Sequence, residues 1–230
     1  MSKSQTGGIP WQELVEQANR LGLAPRSSCY AKRAHIFEQG DPATELYIVC
    51  EGWIKLVHLM KDGRPLTLRL LGSGDLFGKS ALTGVVRQAY AEVLAPTRLL
   101  KLKPQELAQI LSDSPDLMLT LLSAQAQEAY EFQTRLLTAT RGSLQDELAV
   151  LLWFLYRRFG KETPEGVQLE PKLPVRVLAD LLGRSRQRVN EALLTFRAKG
   201  WIDRHYGQIV IKDLESLRER ARPFLELARG

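Results

Sequence analysis

The run Leu178-Ala-Asp-Leu-Leu-Gly-Arg-Ser-Arg-Gln-Arg-Val-Asn190 joins a helical pattern, a tight turn and the start of a second helix. Val177 to Leu182 has the spacing of a short amphipathic helix, Gly183-Arg-Ser185 is the turn, and Arg186 to Lys199 is a second helix ended by Gly200. Ala179 and Gly183 let the two helices approach closely at a steep angle. That is the geometry of a helix-turn-helix, whose second helix can lie in the DNA major groove. Ser185 is placed to N-cap the second helix, and Val189, Leu193, Leu194 and Phe196 are assigned its inward positions.

Arg186, Gln187, Arg188, Asn190 and Glu191 crowd the first turns of that helix. Arginine bonds a guanine bidentately, and Gln or Asn an adenine, so these are the candidate base readers. Arg184, Lys199 and Arg204 are the candidate phosphate contacts that set register. Beyond Gly200, Trp201 to His205 and Ile209 to Ile211 flank Tyr206-Gly-Gln208, a β-hairpin that reads as a wing. A plain αα-hairpin with a solvated face is the competing reading. The polar first turn, the hairpin and the charge distribution weigh against it.

That distribution is uneven. Residues 141–230 hold 17 Lys/Arg against 12 Asp/Glu, whereas residues 1–140 hold 15 against 14, so most of the net +6 lies in the C-terminal part. Such a surplus is what a phosphate-facing surface requires. With 44% hydrophobic and 25% charged residues, the 230-residue chain has a globular composition and enough length for two modest domains. There is no long apolar run, and Met1 to Pro10 lacks the apolar core of a signal peptide, so a cytoplasmic location with no membrane partner is expected. Cys29 and Cys50 with three scattered histidines make no metal motif, and two reduced thiols are the simplest reading. No Walker loop, Gly-x-Ser-x-Gly elbow or metal-spaced histidine set occurs, and an enzyme is not expected.

Upstream, Trp11 to Leu23 has helical spacing and is stopped by Pro25. From Tyr30 to Leu102 the pattern becomes short β-prone runs, including 45–50, 53–58 and 66–71, separated by turns such as Glu51-Gly52 and Lys61-Asp-Gly63. Such spacing predicts a small antiparallel barrel or roll. Pro104 starts a short helix, and Ser114-Pro-Asp starts a long one reaching about Thr138. Leu119, Leu122, Ala126, Ala129, Gln133 and Leu136 follow the three-four spacing of a coiled-coil seam along it. Packing on its own domain is the alternative; small Ala126 and Ala129 favour a second helix in close approach. After Arg141-Gly142, Ser143 with Asp146 and Glu147 caps the apolar helix Leu144 to Phe159, and Lys161 to Glu170 reads as a polar loop. The expected fold is α+β: a jelly-roll-like antiparallel β-roll with flanking helices (1–113), a long dimerisation helix (114–140) and a winged helix-turn-helix (141–230).

In this order the parts resemble the Crp–Fnr superfamily of bacterial transcription regulators over roughly Tyr30 to Ile211. The likeness is carried by Phe37-Glu-Gln-Gly-Asp41, Leu46-Tyr-Ile-Val-Cys-Glu-Gly52, Gly74-Asp-Leu-Phe-Gly78 and the 178–190 run. The resemblance implies a cyclic-nucleotide-binding-type roll, a homodimer on a two-fold symmetric promoter site, and an activator that meets RNA polymerase. Its effector pocket would map to Gly78, Lys79, Ser80, Arg87, Gln88, Phe132 and Gln133.

Several of those positions depart from the cyclic-AMP-responsive pattern. Lys79 replaces the glutamate that grips the ribose hydroxyl, and lysine cannot accept that hydrogen bond. Arg87 remains, Gln88 replaces the serine beside it, and Phe132-Gln133 replaces the Thr-Ser pair that reads the adenine. Iron-sulfur members need four cysteines, and His35 and His58 are the only histidines in the roll for a haem. Cyclic AMP, haem and an iron-sulfur cluster are therefore not expected. What remains is ligand-independent action or an unidentified effector, for which an anion is one option. On the recognition helix Arg186 is retained while Glu191 stands where the family's second reading arginine lies, which predicts a half-site other than TGTGA. A sensor acting through protein partners without reading DNA is the alternative function.

Overall fold

The computed structural model describes residues 8–228. Met1–Gly7, part of the stretch read for a signal peptide, and the last two residues of the expected C-terminal domain lie outside them. Helix α1 (Trp11–Arg20) precedes strands β1 (Arg26–Tyr30), β2 (Leu46–Leu59), β3 (Pro65–Leu71), β4 (Leu76–Phe77) and β5 (Tyr90–Leu102). The sheet is antiparallel, in the order β1-β5-β2-β3, with β4 pairing to β2.

Side chains on the two faces build two cores. Leu46, Ile48, Leu100 and Leu102 pack with Leu14 and Ala18 of α1 and with Leu107 and Ile110 of α2 (Pro104–Asp113). Tyr47, Val49, Ile54, Leu71, Phe77 and Leu99 fill the inside of the roll with Phe37. This is the roll that the short β-prone runs between glycine turns predict.

One strand assignment changes. The runs 45–50 and 53–58 are a single bent strand, β2, and Glu51-Gly52 is not a turn but an irregularity in its pairing with β5. Gly52 has φ 93°, and a Cβ there would collide with Thr97 Oγ1 and Pro96 O. Glycine permits both the left-handed backbone and the close approach. The Thr97 hydroxyl in turn accepts from Trp53 N at 3.0 Å.

Helix α3 (Pro115–Arg141) follows, then α4 (Leu144–Phe159), capped by a reciprocal pair: Ser143 Oγ accepts from Asp146 N, and the Asp146 carboxylate accepts from Ser143 N at 2.8 Å. The expected polar loop at 161–170 is instead a hairpin, β6 (Gly160–Thr163) and β7 (Gly166–Leu169). It forms because β7 finds a partner in the wing: Val167 pairs with Ile211 and Gln168 with Val210. Helices α5 (Val175–Leu182) and α6 (Arg186–Ala198) precede the wing strands β8 (Ile202–His205) and β9 (Gln208–Ile211), giving a sheet ordered β6-β7-β9-β8. A last helix, α7 (Leu214–Leu227), which the sequence reading had not assigned, packs on α4 through buried Leu217, Ala221 and Leu225.

By packing, the chain separates inside α3: residues through Gln125 go with the roll, and residues from Ala126 go with the C-terminal helices. The three-part division expected from the sequence thus describes segments along the chain, whereas the compact units share α3. No helix among the described residues is long and apolar enough to cross a membrane.

Candidate nucleic-acid interface

The turn between α5 and α6 is built by two local devices. Gly183 takes a left-handed φ of 62° and Arg184 N donates back to Ala179 O at 3.1 Å, which closes α5 as a glycine C-cap. Ser185 Oγ accepts from Arg188 N and opens α6, as its position predicted. Four donors at a helix start lack intrahelical partners, so this cap leaves the remaining amides and the positive dipole end available to a phosphate.

On α6 the inward positions are Val189, Ala192, Leu193 and Phe196, all buried. Leu194, assigned inward from the sequence, is 55% exposed, and Ala192 takes the inward place. The reason is the helical turn of about 100° per residue: 189, 193 and 196 share a face that 194 has left. Its outward position beside Asn190 and Glu191 makes Leu194 a surface residue that the sequence reading missed. The residues of 184–188 form an unbroken exposed run, with Glu191 also exposed and Asn190 half-buried.

The predicted contact residues divide by what holds them. Gln187 Nε2 donates to Glu191 Oε1 at 3.1 Å, one turn along the outward face. Arg204 reaches from β8 toward α6, its Nη1 donating to Asn190 Oδ1 at 3.4 Å. Arg184 is committed to a carboxylate: its Nη2 lies 2.6 Å from Oε1 of Glu147, itself buried on α4. Lys199 is exposed and its Nζ sits 4.7 Å above the Trp201 ring. Asp203 accepts from Arg204 N, with His205 and Arg197 close by, and these hold its carboxyl below the usual range.

In the roll, Gly78, Ser80 and Arg87 come together at the loop after β4, whereas the Lys79 side chain reaches toward α3 and Gln88 is exposed. Arg87 is 3% exposed, and its guanidinium donates to Gly78 O at 2.7 Å and Glu45 O at 2.6 Å. It lies 4.4 Å from the centre of the Phe37 ring, and Ser80 Oγ is 3.4 Å from Nη1. Burial pushes its pKa down, while Tyr47 and Glu45 act the other way. Burial, then Glu45, pushes the Tyr47 hydroxyl up to about 12. Lys79 Nζ donates to Gln125 Oε1 on α3 at 2.8 Å, and Gln88 Nε2 donates to Val86 O. Phe132 and Gln133 belong to the other compact unit, and both are exposed.

The roll histidines have ordinary partners: His35 meets Glu38 and stacks on Tyr90, and His58 meets Gln88 O. No metal-binding cluster occurs among the described residues. Cys29 is exposed and Cys50 buried, both as free thiols.

Along α3, Leu119, Leu122, Ala126, Ala129, Gln133 and Leu136 are all exposed, the three leucines by more than half their surface. Every position of the predicted seam thus faces outward on one helix.

Two family models match the chain: a cyclic nucleotide-binding domain over residues 28–114 and a Crp-like helix-turn-helix domain over residues 148–220. The transcriptional regulator SdrP of Thermus thermophilus is 32% identical over 78% of this chain and 85% of its own length. The chain belongs to the Crp–Fnr superfamily. A CRP-like cAMP-activated global transcriptional regulator of Mycobacterium tuberculosis is 29% identical over 83% of this chain and 86% of its own. The crystal structure of a CRP/FNR-family transcriptional regulator from Thermus thermophilus superposes with a TM-score of 0.68 at 28% identity, over 86% of this chain and 98% of that one. As a Crp–Fnr protein this chain is a DNA-binding transcription regulator and not an enzyme.

Proposed function

We propose that this Crp–Fnr regulator is a homodimeric activator that reads a two-fold symmetric promoter site, meets RNA polymerase there, and acts without cyclic AMP. The observation that carries the DNA half is the unbroken exposed run 184–188 at the start of α6, between a glycine-closed turn and a wing. The dimer reading rests on the exposed seam of α3. Three leucines in water at three-four spacing, with alanines between them, match the surface that a second copy of the same helix covers. Two recognition helices would then lie about 34 Å apart, one turn of DNA.

The pocket residues do not fit a cyclic nucleotide. Lys79 offers donors where the ribose hydroxyl needs an acceptor, and two donors of Arg87 already serve backbone carbonyls. Pulling Arg87 onto a phosphate would strip Gly78 O and Glu45 O of a charge-assisted bond. This reading has no role for cyclic AMP, haem or an iron-sulfur cluster, and leaves DNA binding either ligand-independent or under another effector.

Selection of bound duplexes from a random pool, with and without cyclic AMP, tests it. The expected result is a palindromic consensus recovered equally in both arms, with half-sites other than TGTGA. Recovery only with the nucleotide, or a consensus of plain TGTGA half-sites, would contradict the proposal.

A further inference from the structure

Arg135 lies on the second half of α3, close to the seam yet turned inward. Its Nη2 donates to Leu181 O at 2.6 Å, across 46 positions of sequence. Leu181 is in the last turn of α5, where carbonyls have no partner within the helix and the negative end of the dipole collects. The guanidinium thus binds the end of the first helix of the helix-turn-helix, at the turn into α6. Desolvation opposes its charge, and Glu131, one turn earlier on α3, supports it. Glu131 also lies 3.9 Å from Arg158 of α4.

The same turn has a second charged tether. Arg184, two residues beyond α5, is paired with buried Glu147 of α4. The α5–α6 turn is therefore held from α3 by Arg135 and from α4 by Arg184. Only the first of these joins it to the helix that carries the proposed dimer seam.

We propose that Arg135 is a positioning residue that fixes the tilt of the reading helix relative to α3, and so sets the half-site spacing that the dimer accepts. The inference rests on the homodimer reading above. Base readers on α6 choose which bases are bound, whereas Arg135 touches none of them. In a two-fold dimer any change of tilt occurs on both sides and doubles in the distance between recognition helices. A looser tilt therefore broadens the tolerated spacing and leaves the preferred half-site sequence alone.

The test uses the full chain and the half-sites that the wild type selects from a random pool. Duplexes carry those half-sites at the selected spacing and with the spacer lengthened or shortened by a base pair. The wild type is expected to lose roughly tenfold in affinity on either change, the size expected when a charge-assisted contact must be broken to refit. Arg135→Met should reduce that loss to about threefold or less. Arg135→Lys, which keeps a charge but not the planar fork, should fall between them and serves as the folded control if the methionine variant fails to fold. The half-site consensus selected by each variant should stay that of the wild type.

A folded, dimeric Arg135 variant with the wild-type spacing profile overturns the inference alone. A wild type that is monomeric by sedimentation, or that selects no paired half-sites, overturns the homodimer reading and the inference with it.

Discussion

In the roll, Arg87 lies under the Phe37 ring and donates to two backbone carbonyls; on α6, Arg186 heads the reading helix within an exposed run. The superfamily pattern marks both as contact residues, one for an effector and one for a base. Their surroundings differ in what a ligand would have to displace. Around Arg87, Nη1 and Nη2 already serve Gly78 O and Glu45 O while the buried Nε has no partner among the described residues, so a newcomer that draws on the first two must break bonds in a desolvated site. Arg186 is exposed, so a base edge docking there would displace solvent. A residue that matches a family's pattern can thus keep its place in the fold while part of its bonding is supplied by the protein itself.

The largest expected effect tests the roll side of this contrast. Arg87→Met should destabilise the unliganded protein by about 3 kcal/mol, because two carbonyls lose charged donors and the Phe37 contact is lost. Urea unfolding measures it. If unliganded stability were unchanged, Arg87 would be a ligand contact held in reserve and the contrast would collapse. Next in size, Arg186→Ala should leave unfolding unaltered and weaken specific DNA binding by roughly 1–3 kcal/mol, with relaxed preference at one base pair. Competition binding on single-base variants reads this out, and an unaltered base preference removes Arg186 from the reading set.

Legibility in the sequence followed how local each signal is. The caps at Ser143 and Ser185, the glycine at 183 and the hairpin around Gly207 act within four residues, and each appears where its sequence puts it. Gly52 looked like a turn because its real constraint, the backbone at Pro96 and Thr97, lies far along the chain on β5. The hairpin at 160–169 depends on pairing with Val210 and Ile211, which no local composition reveals. For α7 the signals were present: Asp213 caps Ser216, and Leu217, Ala221 and Leu225 repeat at fours, with Pro223 obscuring the pattern. In the site, the candidate readers were legible as polar residues on an early helical turn. The partners of Arg87, Arg135 and Arg184 were not, because two use carbonyls and the third uses a carboxylate on another helix.

The next prediction separates positioning from reading on the α6 side. Ser185→Ala removes the cap that Arg188 N uses and should cost about 1 kcal/mol in stability. DNA affinity should fall in parallel for matched and mismatched sites, since fraying of the first turn weakens every reader together. A loss confined to one base position would make Ser185 a reader in its own right.

The smallest effect concerns the wing. Asp203 is held below the usual carboxylate range by Arg204 N, and then by His205 and Arg197. A carboxyl depressed in the folded state stabilises it above the unfolded value, near pH ~4, and that contribution disappears as pH falls through the folded value. The wild type should therefore lose stability between about pH 4 and the more acidic folded value, and Asp203→Asn should lose less over that window. Because the group is exposed the difference is small, and it is best read as the change in urea midpoint between the two proteins at successive pH values. Roll contacts are common to both proteins, so a diverging pair of curves isolates the wing. Parallel curves would mean that the acid response originates elsewhere, and that Asp203 orders β8 without coupling to protons.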